Sequence, residues 1–205
     1  MSLCFRQAYF DDAAPKAEFL RFLQDIHGLD LGPWDRAGLW DPDYVPFSFF
    51  EGDRLVSNVC VYSLPMVVAG EECRVAQLSS VGTAPTHRRR GLNRELTTAA
   101  RTWCREQDHR FLFLFADREA VPYYTRLGFR AQPQWRFRCP APSTSGSEHR
   151  SPLVPLVTCC PATHDFLADF VERRTSVSRV LGHHSTGLFR FHARYSLRDC
   201  LYHLP

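Results

Sequence analysis

The most constraining stretch of this chain is Pro85-Thr86-His87-Arg88-Arg89-Arg90-Gly91-Leu92-Asn93, a turn with three arginines and a glycine at the start of an amphipathic helix. From there Leu92, Leu96, Ala99, Ala100 and Trp103 fall on one helical face, Arg94, Arg101 and Arg105 lie opposite, and the pattern ends near Gln107. A cation at a helix N-terminus opposes the helix dipole by about 0.3–1 kcal/mol. An anion there meets unpaired backbone N–H groups instead. Three arginines in one turn therefore make electrostatic sense with an anion between them, and Gly91 lets the backbone approach it closely. The pattern G-x-x-x-x-G-K-[ST] is absent, so the turn is not a nucleoside-triphosphate loop of that type. After the helix, Phe111 to Ala116 contains no polar residue and reads as a strand buried on both faces. A short helix from about Glu119 to Leu127, stopped by Gly128, completes the unit.

Upstream, Phe5 to Tyr9 reads as a short strand and Ala13 to His27 as an amphipathic helix. Gly28 to Pro46 has loop chemistry with Trp34, Trp40 and Tyr44 interleaved. Phe47 to Phe50 and Leu55 to Tyr62 form a hairpin about Gly52-Asp53, and a turn at Ala69 to Glu72 leads into a strand from Cys73 to about Gly82. Gln134 to Arg138 alternates as another strand, and the Pro- and Ser-rich Cys139 to Pro152 reads as a connection. Beyond it come a Thr163 cap, a helix from His164 to Arg173, a strand-like Gly187 to Tyr195 and a final aliphatic fragment. The expected fold class is α/β (α+β), with a mixed, mostly antiparallel sheet flanked by helices. Residues 1–138 form its main domain, 139–152 a linker and 153–205 an extension packed on it.

The chain has 205 residues, 44% hydrophobic and 23% charged, enough for a full core without disulfide or metal staples. No apolar run approaches the roughly 20 residues of a membrane span. The first residues lack the pattern of a secretory signal, so the expected location is cytoplasmic, with no membrane partner. Eight cysteines without C-x-x-C spacing read as reduced thiols, and no metal site is expected from them or from His183-His184. A net charge of +3 does not argue for nucleic acid, and no DNA-recognition motif stands near Glu172 to Leu181. Lys16 is the only lysine among 25 basic residues, a bias that also follows from a GC-rich genome.

Arg88 to Asn93 as R-x-x-G-x-N is similar to the Q/R-x-x-G-x-G/A signature of the GCN5-related N-acetyltransferase (GNAT) superfamily. Tyr124-Thr125-Arg126-Leu127-Gly128-Phe129 matches its Y-x-x-x-G-F, one helix and one strand later. Within the superfamily the turn resembles that of the enhanced-intracellular-survival-type acetyltransferases. The resemblance implies a sheet splayed between its fourth and fifth strands, acetyl-CoA as donor and direct acetyl transfer to an amine. By position, Val81, Gly82 and Thr83 would meet the pantetheine arm, and Arg88, Arg89, Arg90, Gly91, Leu92 and Asn93 the pyrophosphate. Asp117 and Ala120 would line the cofactor, and Tyr124 would be the general acid toward the departing thiolate. Asn93 stands where Gly or Ala is usual. Trp34, Trp40, Tyr44 and Phe47 occupy the region that borders the acceptor in the resembled fold. Glu119, Asp43 and the terminal carboxylate of Pro205 are carboxylates without a geometric claim, so no general base is assigned. The expected partner is a small-molecule or peptide amine, with a homodimer open. A non-catalytic CoA-binding or protein-interaction module on the same fold is the alternative.

Overall fold

A computed structural model of the chain describes residues 2–133, 154–156, 161–173, 180–197 and 201–203. The first stretch runs β1 (Leu3–Gln7), α1 (Ala13–His27), α2 (Gly32–Arg36), β2 (Tyr44–Glu51), β3 (Arg54–Val68), β4 (Glu71–Thr83), α3 (Leu92–Glu106), β5 (Phe111–Phe113) and α4 (Val121–Arg126). Beyond it lie β6 (Val154–Pro155), α5 (Pro161–Arg173), β7 (Leu181–His183), α6 (Thr186–Tyr195) and β8 (Tyr202–His203). None of the helices described is long and apolar enough to cross a membrane.

Strands β1 to β5 lie side by side in chain order, antiparallel except for the parallel β4–β5 pair. Alternation along β2 splits the apolar residues between two cores. Phe50 faces α1 and joins Phe19, Phe22, Leu23 and Leu55, whereas Phe47 faces α3 and joins Val59, Val61, Leu78, Leu96 and Ala100. Each helix is pinned by local chemistry. The Asp12 side chain accepts from the Ala14 N–H at the start of α1, and Gly28 ends that helix at φ 65°. Strand β3 is 15 residues long and β2 only 8, so the far end of β3 outruns its neighbour. There β7 pairs antiparallel with Met66–Val68 and covers the open edge.

The structure corrects several expected elements. Gly187 to Tyr195 lies in helix α6 rather than a strand, because Ser185 caps it and Leu188, Phe191 and Tyr195 recur at helical spacing toward the core. Within the expected 28–46 loop, Gly32–Arg36 is helical and β2 already begins at Tyr44. Strand β5 stops at Phe113, and Phe115 is 75% exposed rather than buried, since β4 is the only strand paired with β5 among the described residues. Helix α5 starts at Pro161, which places Thr163 inside it rather than at its cap. The expected strand 134–138 and connection 139–152 lie outside the described residues.

Candidate active site

Strands β4 and β5 pair only at Val75–Phe111, Ala76–Leu112 and Gln77–Phe113. From Leu78 to Thr83, β4 continues along β3 without a strand partner on its other side among the described residues, so the sheet opens there. The opening coincides with a bulge. Register passes from Cys60–Ser79 to Asn58–Gly82, which places one extra residue on β4, and Ser80 takes φ 49°. Ser80 and Val81 therefore stand outside the paired register beside the gap.

Asn58, fully buried in β3, holds this bulge. Its Nδ2 donates to the Ser80 carbonyl at 2.8 Å, while its Oδ1 accepts from the Ser48 hydroxyl at 2.7 Å. The Ser48 hydroxyl also meets the Tyr9 hydroxyl at 2.7 Å, so a hydrogen-bonded line runs from β2 through β3 to the bulge. From the α3 side, Asn93 Nδ2 donates to the carbonyls of Asn58 (3.2 Å) and Gly82 (3.4 Å), and its Oδ1 accepts from the Tyr123 hydroxyl at 2.9 Å. Asn93 thus ties α3, β3, β4 and α4 together. A lone asparagine in an apolar strand was the sequence signal for Asn58, and sequence reasoning missed it.

The arginine turn lies at the same end of the sheet. Gly91 has φ 81°, and the space where a Cβ would stand is open. Arg88, Arg89 and Arg90 are exposed, Arg89 at φ 63°, and Arg88 Nε donates to the Thr83 carbonyl at 3.2 Å. The next helix is 15 residues long, with its first-turn N–H groups facing that turn. Leu92 is buried under it. Asp117 is exposed, and its carbonyl accepts from the N–H of Ala120, the residue that caps α4. Tyr124 is half-buried between Tyr123 and Phe129, with ring centroids 5.1 and 5.7 Å away. Burial pushes its hydroxyl up to about 12.

On the α1 face of the bulge is a cavity of about 400 Å³. Leu29, Leu31, Leu188 and Phe191 form its apolar wall, the last two from α6. Tyr44, Tyr62, Gln77, Ser79 and Ser80 supply hydroxyl and amide groups, and His27 and His192 two imidazoles. The Tyr44 hydroxyl sits on the bulge, 2.7 Å from Ser80 Oγ and 3.1 Å from Ser79 Oγ. Burial holds its pKa well above the ordinary phenol value, and it lowers both His27 and His192 below the usual imidazole range. Tight packing of α1 on β4 brings His27 here. A Cβ on Gly82 would stand 2.9 Å from Ile26 Cγ2 and 3.3 Å from His27 Nε2. Helix α6 is anchored by a second cluster, in which the Tyr62 hydroxyl donates to Asp41 Oδ2 at 2.6 Å and meets Ser185 Oγ at 3.0 Å.

Of the four aromatic residues expected at the acceptor, only Tyr44 lines this cavity. Phe47 is fully buried on the opposite sheet face against Trp103, which removes it from any acceptor on the α1 side. Trp34 is 4% exposed and packs behind Phe191 and Tyr195, and Trp40 packs on Phe10, Phe19 and Tyr44. His27, Leu188, Phe191 and His192 were not anticipated as lining residues.

Residues 42–131 match the sequence profile of the acetyltransferase (GNAT) domain family. That segment is similar to the GNAT acetyltransferase domains. No curated protein matches the chain in sequence. Solved structures with this fold include an aminoglycoside acetyltransferase from an uncultured soil metagenomic sample, 20% identical, with TM-score 0.55 over 69% of this chain and 99% of that one. A second soil metagenomic aminoglycoside acetyltransferase, in complex with sisomicin, is 15% identical with TM-score 0.54, covering 67% of this chain and 95% of that one. A predicted acetyltransferase from Clostridium acetobutylicum, with acetyl-CoA, is 17% identical with TM-score 0.54, covering 67% and 96%. At these identities the likeness is one of fold, and the GNAT fold is the mixed, splayed sheet described above. Helices α1 and α6, which bring His27 and Phe191 to the cavity, both lie outside the matched GNAT segment.

Proposed function

We propose that the protein is an acetyl-CoA-dependent N-acetyltransferase that transfers the acetyl group directly to an amine. The observation that carries this reading is the opening between β4 and β5 beside the Ser80 bulge, with the arginine turn of α3 at the same end. The residues present fit the donor. Arg88, Arg89, Arg90 and the first-turn N–H groups around Gly91 would hold the pyrophosphate, with Leu92 and Asn93 as the floor of the turn. Val81, Gly82 and Thr83 would run beside the pantetheine arm, and Asp117 and Ala120 would flank it. Bound acetyl-CoA supplies an acetyl group already activated as a thioester. Backbone N–H groups at the bulge, where Ser80 and Val81 leave the paired register, would polarise a carbonyl placed there.

Tyr124 acts on the leaving sulfur. With its pKa at about 12, complete proton transfer to a thiolate of ordinary pKa near 8.5 runs uphill. Its contribution is therefore a hydrogen bond that stabilises developing negative charge. On the acceptor side, an alkylamine of pKa about 10.4 attacks as its neutral fraction, and its nitrogen gives up a proton as the C–N bond forms. His27 is the proton acceptor we assign, because its Nε2 lies beside Gly82 at the bulge end of the cavity and burial keeps the ring neutral. Residues 1–138 would form the transferase unit, and helix α6 of the 153–205 extension its acceptor-side wall.

The test is calorimetric titration of the full chain with acetyl-CoA, then thiol release with a panel of amines. Saturable binding that weakens in Arg90→Ala and persists in Tyr124→Phe is expected, with turnover reduced in the second variant. No binding by a folded sample overturns the reading. Binding without transfer to any amine would make the domain a CoA-binding module.

A further inference from the structure

Resting on the transferase reading, we infer that the acceptor is a small monoamine with an apolar or aromatic body, bound in the cavity between the β4 bulge and α6. Three observations select this class. First, no Asp or Glu lines the cavity among the described residues. Asp41 stands behind Tyr62, already accepting its hydroxyl hydrogen at 2.6 Å. A polycationic acceptor would have to leave several ammonium groups without a counter-charge in a partly buried site, which is strongly unfavourable. A monoamine carries only one such charge and leaves it with solvent when it enters as the free base.

Second, the wall is apolar and aromatic where the amine's body would lie. Leu29 and Leu31 follow α1, Leu188 and Phe191 come from α6, and Tyr44 and Tyr62 stand with ring centroids 5.5 Å apart. Aromatic faces and branched aliphatic groups recognise a flat or greasy body through contact area rather than hydrogen bonds. Third, the size fits. A volume of about 400 Å³ is near the lower end of the range for small-molecule sites, too small for an oligosaccharide to be enclosed with its shell of hydroxyls and amines. At the bulge end Ser79, Ser80 and Tyr44 hydrogen-bond one another, and Tyr62, Gln77, His27 and His192 are the other uncharged polar groups of the lining.

Thiol release from acetyl-CoA would be compared for 2-phenylethylamine and sisomicin with the wild-type chain and the Phe191→Ala and Leu188→Ala variants. We expect 2-phenylethylamine to be the better acceptor by kcat/KM. Each variant should raise its KM about tenfold, the effect of trimming an apolar contact from a specificity pocket, and leave acetyl-CoA affinity within about twofold. Equal or better use of sisomicin overturns the assignment, as does acetyl-CoA binding with no competition or turnover by 2-phenylethylamine. If acetyl-CoA fails to bind, the transferase reading falls on its own. Saturation-transfer NMR with 2-phenylethylamine alone then decides the pocket: a signal lost in Phe191→Ala supports it, and no signal in the wild type overturns it. Far-UV circular dichroism on each variant separates a lost contact from a lost fold.

Discussion

At the scale of single residues, the site depends on polar side chains that face inward. Asn58 makes three kinds of contact at once: it supports the Ser80 carbonyl, receives the Ser48 hydroxyl and lends its own carbonyl to Asn93. Asn58→Ala removes the side-chain donor to the Ser80 carbonyl and one of the two partners of the Ser48 hydroxyl, and a buried group left unpaired costs about 1–3 kcal/mol. The expected outcome is a loss of about 1–3 kcal/mol in urea unfolding together with weaker acetyl-CoA binding, because the bulge loses its tether. Asn58→Asp, isosteric but charged, should be no better in either measurement. His27 gives a different kind of prediction. Its pKa lies below the usual imidazole value, so it is deprotonated at neutral pH, and a proton on it at lower pH removes the acceptor. The rate of transfer should fall on the acid side through that lowered pKa, and His27→Gln should flatten this limb while leaving acetyl-CoA binding intact. An unchanged acid limb in the variant would assign the proton transfer elsewhere.

At the scale of elements, α6 is fixed at its first turn by shape as much as by hydrogen bonds. A Cβ on Gly187 would stand 2.4 Å from Asp41 Oδ2 and 2.5 Å from the Tyr62 hydroxyl. Gly187→Ala therefore forces apart the Asp41–Tyr62–Ser185 cluster, and overpacking of this kind costs about 1–3 kcal/mol. The expected result is faster hydrogen exchange in α6 and β7 with little change in α3, read by mass spectrometry. This element also marks where sequence reading stops. Helices α1 and α3 were legible because each carries a full apolar face with its own terminus signals, Asp12 and Gly28 for one and Gly91 for the other. In α6 the run Phe189-Arg190-Phe191-His192 alternates in the manner of a strand, and only contact with Trp34 and the cavity shows which period operates. The arginine turn was readable for the same local reason as α3. The acceptor wall was not, since Leu29, Tyr62 and Phe191 come from three distant segments and no spacing connects them. Among the aromatic residues expected at the acceptor, Phe47 lies on the opposite face from Tyr44 because an odd number of steps along a strand reverses the face.

At the scale of the whole molecule, acid should loosen the face that carries the cavity. His27, His164 and His192 all have pKa values lowered by burial, and His164 also faces Arg190 and Arg194. An imidazole with a folded pKa below its unfolded value binds a proton more readily in the unfolded chain. Its contribution is therefore intact above about pH 6.5 and declines as pH falls from there toward the lowered folded values. The melting temperature should drop between neutral and mildly acidic pH, and replacing His164 with Phe should reduce that drop. No such slope would mean that these rings are open to solvent.

The pairing of β7 with the end of β3 has a consequence in time. Ser185 and Tyr62 are 123 positions apart, so the contact that seats α6 closes one of the longest loops in the chain, whereas the β2–β3 and β3–β4 hairpins close short ones. The half built from the β2–β4 hairpins should therefore assemble first on refolding and the α6 side last. During that interval the molecule would be a thioester binder with an open flank, able to lose acetyl groups to water, and a refolding chain should pass through a transient phase of hydrolysis that ends as α6 docks.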